Sequence, residues 1–90
     1  ITVDESYKIE RIRIKTFGNK SKYIHALPLH ASQQEVENTV EYSVFEYLLR
    51  PTYDFCQELL SHGSDLEVLS PQWLREQIKK IIKDMELFYG

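Results

Sequence analysis

The stretch LSHGSDLEVLSPQWLREQIKKI, Leu60 to Ile81, carries the reading that decides the fold. An amphipathic run stops at His62-Gly63, where glycine suits the left-handed position that closes a helix. Of the six residues that follow, through Leu69, the last five have a strand's alternation, with Leu66 and Val68 facing one way. Ser70 then reads as a helix cap, and Pro71 as the first helical residue, where its missing N–H costs nothing. A helix, a short strand and a helix therefore sit within some thirty residues, which is the spacing of half a split βαβ unit.

Working back toward the N-terminus, EYSVFEYLLR (Glu41 to Arg50) is rich in aromatic and β-branched residues and reads as a strand. Phe45, Tyr47 and Leu49 share one face, while Glu46, Leu48 and Arg50 share the other. Pro51 ends it. Thr52 is placed to cap the next helix, with Asp54 in its first turn near the positive helix end. Phe55, Cys56, Leu59 and Leu60 form that helix's apolar stripe.

KIERIRIKTF (Lys8 to Phe17) alternates in the same way, with Ile12 and Ile14 opposite Arg11, Arg13 and Lys15. Gly18-Asn19 breaks the strand. KSKYIHAL then predicts a short helix with Tyr23, Ile24 and Leu27 on one side, ended by Pro28. Between Leu29 and Thr39 the pattern is irregular, with a weak strand around Gln34 to Glu37 and a turn at Asn38-Thr39. The final helix carries Leu74, Ile78, Ile81, Ile82 and Met85 in register, and Phe88 or Tyr89 finishes the stripe.

The order is strand, helix, strand, strand, helix, strand, helix. This predicts an α+β domain, a ferredoxin-like βαββαβ sandwich with one added C-terminal helix. Ninety residues suit one such domain over residues 8–90. Residues 1–7 are polar and mixed, as in a linker from an upstream domain, and the opening ITVDESY without methionine is expected of a piece of a longer chain.

A formal charge of −3 argues against the usual strongly basic nucleic-acid-binding domain. The charge is uneven, however: Lys8, Arg11, Arg13, Lys15, Lys20 and Lys22 face only Glu10 between residues 8 and 22. Arg11, Arg13 and Lys15, two residues apart on one strand face, invite anion contact. They also invite cross-strand pairing with Glu46 and Glu67, worth about 0.2–1 kcal/mol a pair, if the first strand lies between the third and fourth. Both readings stay open.

The single cysteine, Cys56, allows no intrachain disulfide and lies on an apolar stripe, where a thiol is ordinarily inert. With no signal-peptide pattern and no long apolar run, the expected location is cytoplasmic, away from any membrane. His25, His30 and His62 lack metal-site spacing, so no metal and no cofactor is expected. No nucleophile elbow and no glycine-rich phosphate loop occurs, so the domain is not expected to be an enzyme. Trp73, one position ahead of the last helix's stripe, is a flank-packed residue or an interface residue.

The segments ALPLHASQ (Ala26 to Gln33), FEYLLRPTYDFCQELLSHG (Phe45 to Gly63) and LEVLSPQWLREQIKKIIKDMELFY (Leu66 to Tyr89) resemble the C-terminal extension, or WCX domain, of WYL-domain transcriptional regulators, particularly Bacteroidetes-type members. That resemblance implies a ferredoxin-like fold and a non-catalytic role in regulation, ligand sensing and dimerisation. Its implied partners are an upstream WYL barrel and winged helix-turn-helix, a second copy in a homodimer, and a nucleotide or single-stranded nucleic-acid ligand. Arg50 in RPT, with His30 and Gln33 in LHASQ, matches the family's distinctive polar landmarks and is carried over as ligand-binding. The naming Trp-Tyr-Leu motif is absent from this chain, as is any helix-turn-helix. Other readings of the same fold are an acylphosphatase-like hydrolase, for which TFGNKSK offers Asn19 and Lys20 but no arginine, and a stand-alone metabolite-binding domain.

Overall fold

The computed structural model describes residues 8–90, and the expected linker at 1–7 lies outside the described residues. Strand β1 (Glu10–Phe17) leads through Gly18 into helix α1 (Asn19–Ala26). Strands β2 (Gln34–Asn38) and β3 (Tyr42–Leu49) follow, then helix α2 (Tyr53–Ser61), a 3₁₀ turn (Gly63–Asp65), strand β4 (Leu66–Ser70) and helix α3 (Gln72–Tyr89). The strands form one antiparallel sheet in the order β2-β3-β1-β4. β1 thus lies between β3 and β4, as the pairing argument required.

The alternation in β1 and β3 decides which face is dry. Ile12 opposes Tyr47 and Ile14 opposes Phe45, and all four are fully buried. Leu49 and Val68 continue that face. Ile24 from α1, Cys56 and Leu59 from α2, and Leu74 and Ile78 from α3 complete one contiguous core with them. Each such side chain contributes about 1.5–3 kcal/mol on leaving water, so this layer of helix on sheet carries the stability of the domain.

Two polar residues share the dry face. Thr16 and Ser43 oppose each other and are buried. The Thr16 hydroxyl lies 2.8 Å from that of Ser21, which donates to the Thr16 carbonyl at 3.0 Å. Those bonds tie the end of β1 to α1, and they offset the cost of burying the hydroxyls.

Several local expectations need correction. Asn38 belongs to β2, and Thr39 alone shapes the turn: its hydroxyl accepts from the Tyr42 amide at 3.0 Å, and its own amide donates to the Tyr42 carbonyl at 2.8 Å. Of the predicted apolar side of α1 only Ile24 is buried, while Tyr23 and Leu27 are more than half exposed. Eight residues make barely two turns, so one position can reach the sheet. Leu29, beyond the helix, packs against the core instead.

At the start of α3 the boundary falls one residue later than expected. Ser70 ends β4, Pro71 takes the cap position with extended backbone (φ −72°, ψ 163°), and Gln72 is the first helical residue. Gly63, by contrast, has the left-handed conformation anticipated for it (φ 64°), following His62 at the C-terminal cap of α2.

Candidate functional site

The helices occupy one face of the sheet and leave the other open. On that open face β1 presents Arg11, Arg13 and Lys15, and β3 presents Tyr42, Glu46 and Leu48, with Val44 buried between Tyr42 and Glu46. Strand pairing sets Arg13 directly opposite Glu46, and the Arg13 Nε donates to Glu46 Oε2 at 2.8 Å. Arg11 reaches the other oxygen of the same carboxylate, Nε to Oε1 at 3.5 Å. Two guanidiniums share one anion, so the cluster retains a positive charge. The Arg11 and Arg13 side chains remain 68% and 50% exposed, which leaves their outer N–H groups for an anion from solution.

Lys15 behaves differently from the expectation. It opposes Glu67 in β4, but the Glu67 carboxylate accepts from Arg75 Nη1 of α3 at 2.6 Å. The same Arg75 nitrogen bonds the Val68 carbonyl at 2.8 Å. Lys15 lies instead over aromatic rings, with its ammonium 4.3 Å from the Tyr42 centroid and 5.5 Å from that of Phe17. Tyr42 in turn donates to Glu37 Oε2 at 2.5 Å, and that bond, with some burial, raises the phenol's pKa.

The three landmark residues are used in three ways. Gln33 is built into the fold: its amide nitrogen donates to the Ile24 carbonyl at 3.0 Å, and its oxygen accepts from the Leu29 amide at 3.2 Å and from the Tyr47 hydroxyl. Both ends of its amide therefore have partners within the domain. His30 Nδ1 accepts from the Ser32 amide at 3.0 Å and lies 2.8 Å from the Ser32 hydroxyl. That hydroxyl accepts from the Leu48 amide at 3.0 Å. Arg50 is exposed just beyond Leu49, and its carbonyl accepts from the Thr52 amide at 2.8 Å.

Register brings several of these residues to one end of the sheet. Arg11 opposes Leu48, to which the His30–Ser32 loop is bonded, and Glu10 opposes Leu49 beside Arg50. Arg11, Arg50 and His30 thus gather where β1 begins and β3 ends, with Arg13 one pleat inward. Lys15 falls at the other end with Tyr42. Trp73 is partly exposed in the first turn of α3.

A second cluster was not legible in the sequence. The His62 side chain is more than nine-tenths buried. Lys20 Nζ of α1 lies 3.3 Å from its Nδ1, and the Tyr23 ring packs edge-on at 6.2 Å. Glu58 Oε1 is 3.8 Å from the buried Nε2, which has no hydrogen-bond partner among the described residues. Burial first, then Lys20, lowers the His62 pKa, with Glu58 acting in the opposite sense. Lys20 is therefore turned inward, away from any anion that a loop after β1 would hold. Only Gly18 separates that strand from α1, and its amide is bonded to the Glu41 carbonyl.

Burial also raises the pKa values of Cys56 and Tyr47, so each is held neutral. Among the described residues no group of three or more His, Cys, Asp or Glu side chains is placed to hold a metal ion, and no helix is long and apolar enough to cross a membrane.

No curated protein matches the chain. The family model for the WCX domain matches residues 8–85, from the residue preceding Ile9 and β1 to the last third of α3. The open sheet face, its arginine pair and the loop that carries His30 and Gln33 all fall inside that match, and the chain belongs to the WCX domain family.

Proposed function

We propose that this domain is a non-catalytic regulatory module of a WYL-family transcriptional regulator, with a ferredoxin-like fold, acting in the cytoplasm. In this reading it follows a winged helix-turn-helix and a WYL barrel, dimerises, and completes the binding of a nucleotide or single-stranded nucleic acid. The sheet order with β1 between β3 and β4, and the family match, support it.

The observation that carries the ligand half is the sharing of Glu46 by Arg11 and Arg13. One carboxylate holds two guanidiniums in fixed positions without neutralising both. A phosphate arriving beside them meets oriented donors whose rotamer freedom is already reduced. Arg50 and His30 lie at the same end of the sheet. The buried thiol and phenol, held neutral, offer no activated nucleophile.

The test is titration of the parent regulator with mononucleotides and short single-stranded oligonucleotides, intact and lacking residues 8–90. The expected result is weaker ligand binding on deletion, matched by Arg11→Ala with Arg13→Ala in the intact chain. A loss of roughly 1–3 kcal/mol fits removal of two charge-assisted contacts. Ligand affinity, oligomeric state and operator binding all unchanged on deletion would reject the proposal.

A further inference from the structure

The open sheet face has a second end, and it is aromatic. Phe17 of β1 and Tyr42 of β3 stand directly opposite each other where β1 ends and β3 begins. Neither belongs to the core or to the apolar residues packed against it, and both are partly exposed. The Lys15 ammonium lies over both rings, 4.3 Å from the Tyr42 centroid and 5.5 Å from that of Phe17, so both turn a face toward one point above the sheet. From that point Lys15, Arg13 and Arg11 follow one another along β1 at every second residue. The repeat of these cations is roughly 7 Å, two residues of strand.

We infer that this row is a track for a single strand of nucleic acid: Phe17 and Tyr42 stack one unpaired base, and Lys15, Arg13 and Arg11 take successive phosphates. The proposal rests on the ligand half of the regulatory reading and narrows it to a strand rather than a mononucleotide. Charge selects the backbone. The carboxylates beside the row are engaged by neighbours: Glu46 by both arginines, Glu67 by Arg75 and Glu37 by the Tyr42 hydroxyl. Lys15 makes no ion pair among the described residues. What the row offers to solvent is therefore positive. Its repeat suits an unstacked strand, whose phosphates lie farther apart than the rise of about 3.4 Å in a duplex.

The rings select a base. Aromatic faces on an open sheet bind bases by stacking, and aromatic faces also bind cations. A cationic ligand would meet Lys15, Arg13 and Arg11 beside it, whereas a base is neutral and brings a phosphate that they attract. Lys15 carries its charge on a flexible stem. When its ammonium turns to a phosphate, the ring faces it covered are left to the base. That base must be unpaired to lie flat on them, so a duplex does not fit. Three cations and one aromatic pair correspond to about four nucleotides, the low end of the site sizes of single-strand binders.

Fluorescence anisotropy tests this with a labelled thymidine strand of about six residues and an abasic strand of the same length and charge. The unaltered chain is compared with Phe17→Leu, Tyr42→Leu and the Arg11→Ala/Arg13→Ala pair, and circular dichroism checks that each variant folds. The unaltered chain should prefer the base-bearing strand about tenfold, from the stacking of one base. Phe17→Leu and Tyr42→Leu should each cut that preference severalfold and leave the abasic strand bound as before. For both strands the slope of log affinity against log salt should be about −2, for three phosphates, and about −0.7 without the two arginines. Equal affinity for the two strands, or a preference that outlives both ring substitutions, would overturn the proposal and leave the arginine reading standing. A salt slope indifferent to the arginines, or binding of neither strand, would overturn the proposal together with the ligand half of the regulatory reading.

Discussion

The two faces of β1 are a single segment in two solvents. Ile12, Ile14 and Thr16 are completely buried, while Arg11 and Arg13 between them keep half or more of their side-chain surface in water. Nothing but the two-residue period of a strand separates these fates. The contrast teaches where constraint lies. On the helix-covered face each side chain fills a shape fixed by α1, α2 and α3. On the open face what matters is charge, held in place by one shared carboxylate.

The sharpest way to break that contrast is to truncate one residue from each face of β3. Phe45→Ala removes a fully buried ring at the centre of the core and should cost about 3–5 kcal/mol, much of a small domain's stability. Leu48→Ala, three residues on and more than half exposed, should stay within about 0.5 kcal/mol. Urea denaturation followed by circular dichroism measures both. Comparable losses would mean that the open face is packed after all.

A smaller effect is expected at the junction of α1 and α2, where a titratable ring sits among the helices rather than on the open face. Burial and Lys20 hold the folded-state pKa of His62 below its ordinary value. The folded state therefore resists protonation that the unfolded chain accepts. Stability from neutral His62 is fully present above about pH 6.5, the unfolded value, and is lost as pH falls through the lowered folded value. Thermal melts between pH 7.5 and 5 should show this slope, and His62→Gln should flatten it. Lys20 faces the ring from α1 and Glu58 from α2, so Glu58→Gln should steepen the loss by removing the one charge that favours imidazolium. An unchanged slope in His62→Gln would place the pH response elsewhere.

Legibility in the sequence followed the same division. The alternating strands, the α2 stripe and the left-handed Gly63 could be read because each depends on neighbours in sequence. Where a residue's environment is supplied by a distant segment, local pattern gave no warning. Tyr23 and Leu27 follow a plausible stripe, but α1 is too short to lay them on the sheet. Gln33 looked like a ligand landmark, and its amide joins the Ile24 carbonyl, the Leu29 amide and, fourteen residues on, the Tyr47 hydroxyl. Glu67 was a reasonable partner for Lys15 until α3 brought Arg75 alongside, and Lys15 settled over Tyr42. The candidate site was legible in its residue types and in the Arg13–Glu46 pairing, but not in how each side chain is occupied.

The smallest effect is also the most informative about function. Arg13 and Glu46 form a good bond at 2.8 Å, yet Arg13 is half exposed, and a cross-strand pair of this kind is worth about 0.2–1 kcal/mol. A double-mutant cycle with Arg13→Ala and Glu46→Ala should return a coupling energy in that range, falling with added salt. The single changes should not be equivalent. Glu46→Ala leaves Arg11 and Arg13 side by side without their shared anion, whereas Arg13→Ala leaves Glu46 still served by Arg11 at 3.5 Å. If the carboxylate's task is to hold two cations ready for a third party, Glu46→Ala should lower stability and weaken phosphate binding even though it removes a negative charge. If the pair is only a stitch between strands, Glu46→Ala should lower stability and leave phosphate affinity where it was. Isothermal titration with inorganic phosphate, on folded protein at two salt concentrations, distinguishes a docking surface from a solvated one.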